Sequence, residues 1–85
     1  MKITLLYFAS YKEQTGIKEE IIIFDPPSGP NVILSDILDI VCKKYPNIKT
    51  PKNKIVAAIN EEYQSHEHKI KHGDIIALIP PVSGG

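Results

Sequence analysis

The sequence predicts an α+β fold in which one main helix covers one face of a mixed sheet. Three observations predict it: strand-like segments at both ends of the chain, a single segment of helical periodicity between them, and clusters of turn residues at the boundaries. A chain of 85 residues has room for one domain with one modest hydrophobic core.

Two strands are predicted in the first part of the chain. Residues 2–8 and 18–24 are rich in β-branched and aromatic side chains, which suit a pleated and half-buried surface. Residues 11–16 between them are polar and end in Thr15-Gly16, so a hairpin connection is expected. The proline-rich residues 25–30 then form a loop, because prolines cannot donate backbone hydrogen bonds.

A helix is predicted over residues 35–45. Its apolar positions recur at three- and four-residue spacing, which lines one helix face; they are Leu34, Ile37, Leu38, Val41, Cys42 and Tyr45. Ser35 is the expected N-cap, and Pro46 follows the last turn.

The last part of the chain supplies the remaining strands. Residues 55–59 and Ile75–Ile79 are apolar and strand-like, and a brief extended segment is expected around Tyr63. A last strand that returns beside the first, after a long crossover through the helix, gives a β-grasp, or ubiquitin-like, sheet of four to five strands. We expect residues 1–79 to form this domain and residues 80–85 to form a flexible tail.

Strand alternation predicts an exposed apolar patch. If Leu5 and Tyr7 point to the helix, Leu6 and Phe8 point to the opposite face, where no second layer covers them. The same alternation in the last strand sends Ile76 and Leu78 inward and sends Ala77 and Ile79 outward. Such a patch favours a protein interface, although sheets also carry isolated outward apolar residues.

Composition narrows the classes of partner and compartment. Ten basic and ten acidic residues give a formal net charge of zero, which does not favour nucleic acid or anionic lipid as a partner. One cysteine cannot form an internal disulfide, and no secretory signal or membrane-spanning run is visible, so a cytoplasmic location is expected.

The tail Pro80-Pro81-Val82-Ser83-Gly84-Gly85 carries the predicted chemistry. The prolines end the strand ladder, and two glycines without side chains suit a channel too narrow for other residues. Activation of the final carboxylate as an acyl phosphate ester would supply a leaving group, and displacement by sulfur would yield a thiocarboxylate. Chain ends are also commonly disordered, so Gly-Gly alone is weak evidence.

The whole chain resembles the small, sulfur-carrying subunit of molybdopterin synthase. The resemblance lies in Leu5-Leu6-Tyr7-Phe8-Ala9, in Gly73-Asp74-Ile75-Ile76-Ala77 and above all in the Pro-Pro-Val-Ser-Gly-Gly ending. It implies that an ATP-dependent activating enzyme adenylates Gly85 and that a sulfur donor then converts it to a 1-thioglycine, with no cofactor bound by the chain itself.

The resemblance also implies partners and site residues. The tail would enter the large synthase subunit, within a heterotetramer, and donate sulfur to cyclic pyranopterin monophosphate to form the dithiolene of the molybdenum cofactor. The chain would be the sulfur-donating subunit of a sulfurtransferase, with the catalytic side chains in the large subunit. The implied partner-binding residues are Phe8, Tyr63, Ile79, Pro80, Pro81, Val82, Ser83 and Gly84.

Two alternatives stay open at this point. The carrier could serve thiazole synthesis or transfer-RNA thiolation, or act as a ubiquitin-like protein modifier attached through Gly85. From a different class, the chain could be a non-catalytic ubiquitin-like interaction module. No metal site is expected, because His66, His68 and His72 lie in an apparent surface turn, and Cys42 lies on the apolar helix stripe.

Overall fold

A computed structural model describes residues 1–26, 29 and 31–80. The strands are β1 (Lys2–Tyr7), β2 (Glu19–Ile23), β3 (Val56–Ile59), β4 (Glu62–Gln64) and β5 (Ile75–Ile79). The helices are α1 (Ser10–Thr15), α2 (Leu34–Lys44) and a 3-10 turn at Lys52–Lys54.

The strands form one mixed five-stranded sheet in the order β2-β1-β5-β3-β4. β1 pairs in parallel with β5, and its other neighbour β2 is antiparallel. β3 pairs antiparallel with both β5 and β4. The β1–β5 pair is parallel because the chain crosses over through α2, as the β-grasp arrangement requires. The predicted fold class is confirmed.

The core lies between α2 and one face of the sheet, which we call the inner face. Leu5, Ile76 and Leu78 from β1 and β5 are 0 % exposed. They share a core cluster with the helix residues Leu34, Ile37, Leu38 and Val41. β1 and β5 are parallel neighbours in the sheet, and both are buried on this face. They therefore form the centre of the sheet side of the core.

The predicted hairpin is confirmed by the antiparallel pairing of β1 with β2, but two local details differ from the predictions. The polar segment between β1 and β2 is not a simple turn: it contains helix α1, which ends at Gly16 in the left-handed conformation, with φ of 82°. A glycine without a Cβ adopts this angle at no steric cost and is a common helix C-cap.

The start of α2 also differs from the prediction. The N-cap is Ile33 and not Ser35. The Ile33 backbone N–H donates to the Asp36 carboxylate at 3.0 Å, so Asp36 satisfies a backbone donor that the first turn leaves unpaired.

Within the described ranges, no helix is long and apolar enough to cross a membrane.

Candidate functional site

The sheet face opposite α2, which we call the outer face, carries a continuous apolar row. Leu6 of β1 pairs with Ala77 of β5, Ala77 pairs with Ala58 of β3, and Ala58 pairs with Tyr63 of β4. Paired residues in neighbouring strands project to the same face. The row therefore runs across four of the five strands.

Exposure confirms the predicted division between the two faces. Phe8 is 48 % exposed and Tyr63 is 69 % exposed, whereas Leu5 and Leu78 on the inner face are fully buried. Leu6, Ala77 and Ile79 are half-buried. The predicted alternation of Leu6 and Phe8 with Leu5 and Tyr7 is correct.

The outer face also holds apolar residues that the sequence reasoning did not include. These are Ile21, Ile23, Val56 and Ile75, which are 43 to 77 % exposed. Ile75 has the same parity as Ala77 and Ile79 in β5, and Val56 has the same parity as Ala58 in β3. The alternation that placed Ala77 could therefore have identified both.

A groove of about 370 Å³ lies on this face. We call it the outer groove; it is lined by Leu6, Phe8, Asn60, Glu61, Ile75 and Ala77. Four of these residues are apolar, and Glu61 is a charged residue among them. Ligand and partner sites commonly combine apolar walls with a few placed polar groups.

The tight β3–β4 turn closes one end of the outer groove. Its two central residues, Asn60 and Glu61, have positive φ values of 51° and 73°, as a two-residue hairpin turn with the twist of the flanking strands requires. The Asn60 side chain holds this turn on the neighbouring elements, since it donates to Asp74 and accepts from the Ile75 N–H, both at 3.0 Å.

Phe8 and Ile79 lie at the other end of this face. Tyr7 pairs with Leu78 in the parallel β1–β5 ladder, so Phe8, directly after β1, and Ile79, the last residue of β5, are adjacent in register. Pro80 comes next and is half-buried. The root of the predicted tail therefore starts beside the apolar patch.

Of the predicted site residues, Phe8, Tyr63, Ile79 and Pro80 are described by the structure. Phe8 and Ile79 are neighbours, and Tyr63 lies across the sheet on the same face, two strands from β5. Pro81, Val82, Ser83, Gly84 and Gly85 lie outside the described residues, as do Pro27, Ser28 and Pro30 of the proline-rich loop.

A polar cluster ties β2 to the end of α2 at the border of the inner face. The Glu20 carboxylate accepts hydrogen bonds from the hydroxyls of Tyr7 at 2.9 Å and Tyr45 at 2.7 Å, and from Lys44 Nζ at 3.0 Å. The rings of Tyr7 and Tyr45 meet edge to face at 5.6 Å. This cluster fixes the helix on the sheet and was not predicted, because the residues that donate to Glu20 lie 13 to 25 positions from it in the sequence.

The same contacts shift the pKa values of the cluster. Burial acts to raise the pKa of Glu20, but the hydrogen bonds from Tyr45, Lys44 and Tyr7 outweigh burial and leave the pKa below its ordinary value. Burial, together with the bond to Glu20, raises the pKa of both tyrosines. The cluster therefore holds a carboxylate as the acceptor of three donors.

The histidines and the cysteine have local roles. His66 Nε2 lies 2.7 Å from the Ile55 carbonyl oxygen, and His72 Nδ1 accepts the Lys2 N–H at 3.1 Å. Cys42 packs against the core cluster, and burial raises the pKa of its thiol. Among residues 1–26, 29 and 31–80, no group of three or more potential metal ligands lies together.

The sequence was compared with known protein families. The model of the ThiS family matches residues 5–85, which is nearly the whole chain. The chain belongs to the ThiS family.

Curated relatives of this ThiS family member carry a more specific name. The molybdopterin synthase sulfur carrier subunit of Anopheles gambiae is 33 % identical over 88 aligned residues, which cover 100 % of this chain and 93 % of that protein. The predicted resemblance to molybdopterin synthase sulfur carrier subunits is thus confirmed over the full length of the chain.

Solved structures share the fold of this ThiS family member. A protein described as molybdopterin converting factor subunit 1 from Pyrococcus furiosus matches with a TM-score of 0.80 and 24 % identity, over 96 % of this chain and 99 % of that chain. The Haloferax volcanii small archaeal modifier protein 1 matches with a TM-score of 0.78 and 21 % identity, over 95 % and 98 % of the two chains.

A third structure is described as a complex of subunits 1 and 2 of the molybdopterin-converting factor from Helicobacter pylori. It matches with a TM-score of 0.65 and 22 % identity, and the alignment covers 100 % of both chains. At these identities the three structures establish the β-grasp fold of this ThiS family member.

Proposed function

We propose that this chain is the sulfur carrier of a molybdopterin synthase and that it works through a thiocarboxylate at Gly85. The observation that carries the proposal is the full-length similarity to curated molybdopterin synthase sulfur carrier subunits, 33 % identical in the Anopheles gambiae protein. The Gly-Gly ending of this sequence supplies the carboxylate that such chemistry needs.

The proposed loading reaction has two balanced steps. A Gly85 carboxylate oxygen attacks the α-phosphate of ATP, which releases pyrophosphate and leaves an acyl adenylate. A hydrosulfide equivalent then forms a carbon–sulfur bond to the acyl carbon, and AMP leaves with the electrons of the broken carbon–oxygen bond. The acyl carbon is neither oxidised nor reduced, and ATP is consumed by the activating enzyme.

The proposed donation reaction transfers the sulfur from the thiocarboxylate to the pterin. The thiocarboxylate sulfur bonds to a side-chain carbon of cyclic pyranopterin monophosphate as a carbon–oxygen bond of that carbon breaks, and the oxygen group leaves with the bonding electrons. Water then attacks the acyl carbon of the resulting thioester, and the pterin thiolate leaves. This hydrolysis leaves the sulfur on the pterin and returns Gly85 to a carboxylate. Two such transfers supply both sulfurs of the dithiolene.

The chain itself contributes a docking surface and a tail to this reaction. The exposed Phe8 directly follows β1, and the half-buried Ile79 and Pro80 end β5 and begin the tail. We propose that these residues, with Tyr63 and the tail residues Pro81 to Gly84, bind the large synthase subunit, and that the catalytic side chains reside there. The Helicobacter pylori complex of subunits 1 and 2 supports a partner of this kind.

Intact mass spectrometry tests the carrier chemistry. After incubation with ATP, a pterin-pathway activating enzyme and a sulfur donor, the chain should gain about 16 Da, since sulfur replaces one oxygen, and fragmentation should place the gain at Gly85. A Glu67→Gln variant, changed at an exposed position outside the proposed site, should gain the same mass, whereas a chain without Gly84 and Gly85 should not. A normal gain in the truncated chain would overturn the proposal.

The same samples distinguish the carrier from a protein modifier, a function named for the Haloferax volcanii protein of similar fold. A modifier would join Gly85 to a lysine of a second protein with loss of one water, and the adduct would resist thiol reagents. Conversion of cyclic pyranopterin monophosphate to the dithiolene by the loaded chain and the large subunit identifies the carrier.

A further inference from the structure

Two carboxylates border the outer groove, one among its lining residues and one on the neighbouring strand β2, and we call them the acidic frame. Glu61 lines the groove at the β3–β4 turn, and Glu19 of β2 pairs with Leu6 of β1 across the sheet. Both glutamates are exposed. In the part of the chain that the structure describes, the ion pairs are Lys44–Glu20 and Lys52–Asp39, and neither involves Glu19 or Glu61.

The apolar floor between these carboxylates belongs to the central strands. Leu6 and Ala77 are paired and half-buried, and Ile75, two residues before Ala77, is 45 % exposed. The floor continues along β1 to Phe8, at the root of the tail. A protein that receives the tail therefore has the outer groove within its reach.

The surrounding charge restricts what can cover this floor. Lys2 is also on the outer face, but it lies four residues before Leu6, about 13 Å along the strand, and it pairs with Ile23. Two copies of this chain facing each other through the groove would bring like carboxylates together, which costs affinity. Phosphate groups would meet the same repulsion.

From these observations we infer that the outer groove binds a segment of the large synthase subunit that presents an apolar side chain to the floor and lysine or arginine side chains to Glu19 and Glu61. This inference rests on the proposed function for its partner. It adds a specificity element outside the tail: the tail carries the sulfur, and the acidic frame selects the protein that accepts it.

The two parts of the surface have different roles. Burial of Leu6, Ile75 and Phe8 slows dissociation, since apolar contacts at the centre of an interface hold a complex together. The rim carboxylates act mainly on the association rate and on partner choice, and salt screens them.

The test is calorimetric titration of the full chain with the large synthase subunit of the same organism, at about 50 mM and about 500 mM NaCl. The double variant Glu19→Gln/Glu61→Gln should bind about five- to tenfold more weakly than the parent at the lower salt concentration. At the higher concentration the difference should fall to about twofold or less. Glu67→Gln, an exposed carboxylate in the loop after β4, is the matched control and should leave affinity unchanged.

A second pair of variants tests the floor. Ile75→Ser should weaken binding about tenfold at both salt concentrations, because it removes an apolar contact. Ile23→Ser changes a more exposed isoleucine, 77 % exposed, that is not among the lining residues of the groove, and it should bind like the parent. Circular dichroism on each variant confirms that the fold is intact.

The outcomes separate the inference from the function on which it rests. Parent-like binding by the double variant at low salt, or by Ile75→Ser, would overturn the inference and leave the carrier function standing. No binding of the parent by the large subunit would overturn both.

Discussion

The two faces of the sheet are made from the same strands and are both apolar, yet only one of them is closed. On the inner face Leu5, Ile76 and Leu78 are fully buried under α2, while on the outer face Phe8 and Ile75 stay about half exposed. Alternate residues of one strand thus serve stability and binding separately. A small domain gains from this division, because mutations on one face leave the function of the other largely intact.

The difference between the faces is tested most directly by neighbouring isoleucines in β5. Ile76→Ala should lower the free energy of unfolding by about 3 kcal/mol, because it opens a cavity in a packed core. Ile75→Ala, one residue earlier and directed outward, should cost about 1 kcal/mol or less. Urea unfolding of both variants measures the pair, and equal losses would show that the outer face is closed in the free protein.

For binding, we expect the larger effect from residues on the outer face. Phe8→Asp should weaken binding to the large subunit by about 30-fold or more, which corresponds to roughly 2 kcal/mol. Its free energy of unfolding should change by about 1 kcal/mol or less, because Phe8 is half exposed and a carboxylate there stays in water. A cooperative unfolding transition near that of the parent, with binding lost, is the signature to look for; loss of the fold would contradict the outward placement of Phe8.

Glu20 and Glu19 extend the comparison to charged residues. Glu20→Gln should lower the free energy of unfolding at pH 7 by about 1.5 to 2 kcal/mol, because it weakens three hydrogen bonds to a carboxylate. Glu19→Gln, on the outer face, should have an effect below about 0.5 kcal/mol.

The pH dependence of this pair has a definite sign. The pKa of Glu20 is lowered in the folded state from its ordinary value of 4.5, so its stabilising effect is present above that pH and is lost as the pH falls through the folded-state pKa. The difference in unfolding free energy between the parent and Glu20→Gln should therefore shrink at about pH 3. If the difference in unfolding free energy were the same at pH 7 and at about pH 3, the role of the ionised carboxylate would be contradicted.

The smallest effect is expected at the rim of the outer face, where backbone strain is concentrated. Ala9, directly after Phe8, has φ of 48° and ψ of -123°, a conformation that glycine adopts far more readily than alanine. Ala9→Gly should raise the free energy of unfolding by about 0.5 kcal/mol, since relief of strain exceeds the added chain entropy. Thermal unfolding measures the gain, and a loss of stability would show that the alanine methyl makes a contact that outweighs the strain.

Alternation made the two faces predictable from the sequence. Once Leu5 was assigned inward, the period of two decided Leu6, Tyr7 and Phe8, and the same reasoning placed Ile76 and Ala77 on opposite faces correctly. The positions of α2 and β5 were also readable, because a helix of three turns and a run of five apolar residues each give a clear periodic signal.

Other features had weak or misleading signals. Helix α1 has six residues, of which only Tyr11 is buried, so no apolar period could reveal it; Gly16 after a polar run was the available sign of a helix end. Ser35 matched the preferred N-cap residue types, but Asp36 reaches back to Ile33 instead. The Glu20 cluster depends on contacts between residues far apart in the sequence, which single residues do not disclose.

The candidate site also contains both residues that the sequence predicted and residues that it did not. Phe8, Ile79 and Pro80 were predicted from alternation and resemblance and lie at one end of the sheet. Ile75 of the outer groove could have been placed by the same alternation, whereas the position of Glu61 became visible only in three dimensions. The roles of Pro81 to Gly85 stay predictions, since these residues lie outside the described ranges.

The parallel pairing of β1 with β5 has a mechanical consequence. Pro80 follows directly from β5, which is hydrogen-bonded on one side to β1 and on the other to β3. A pulling force on the tail along the strand direction loads both ladders in shear, so that many hydrogen bonds must yield together and not one after another as in peeling. Under the proposed function, a tail that partner enzymes bind and release in each cycle is therefore anchored to a strand that is hydrogen-bonded on both sides.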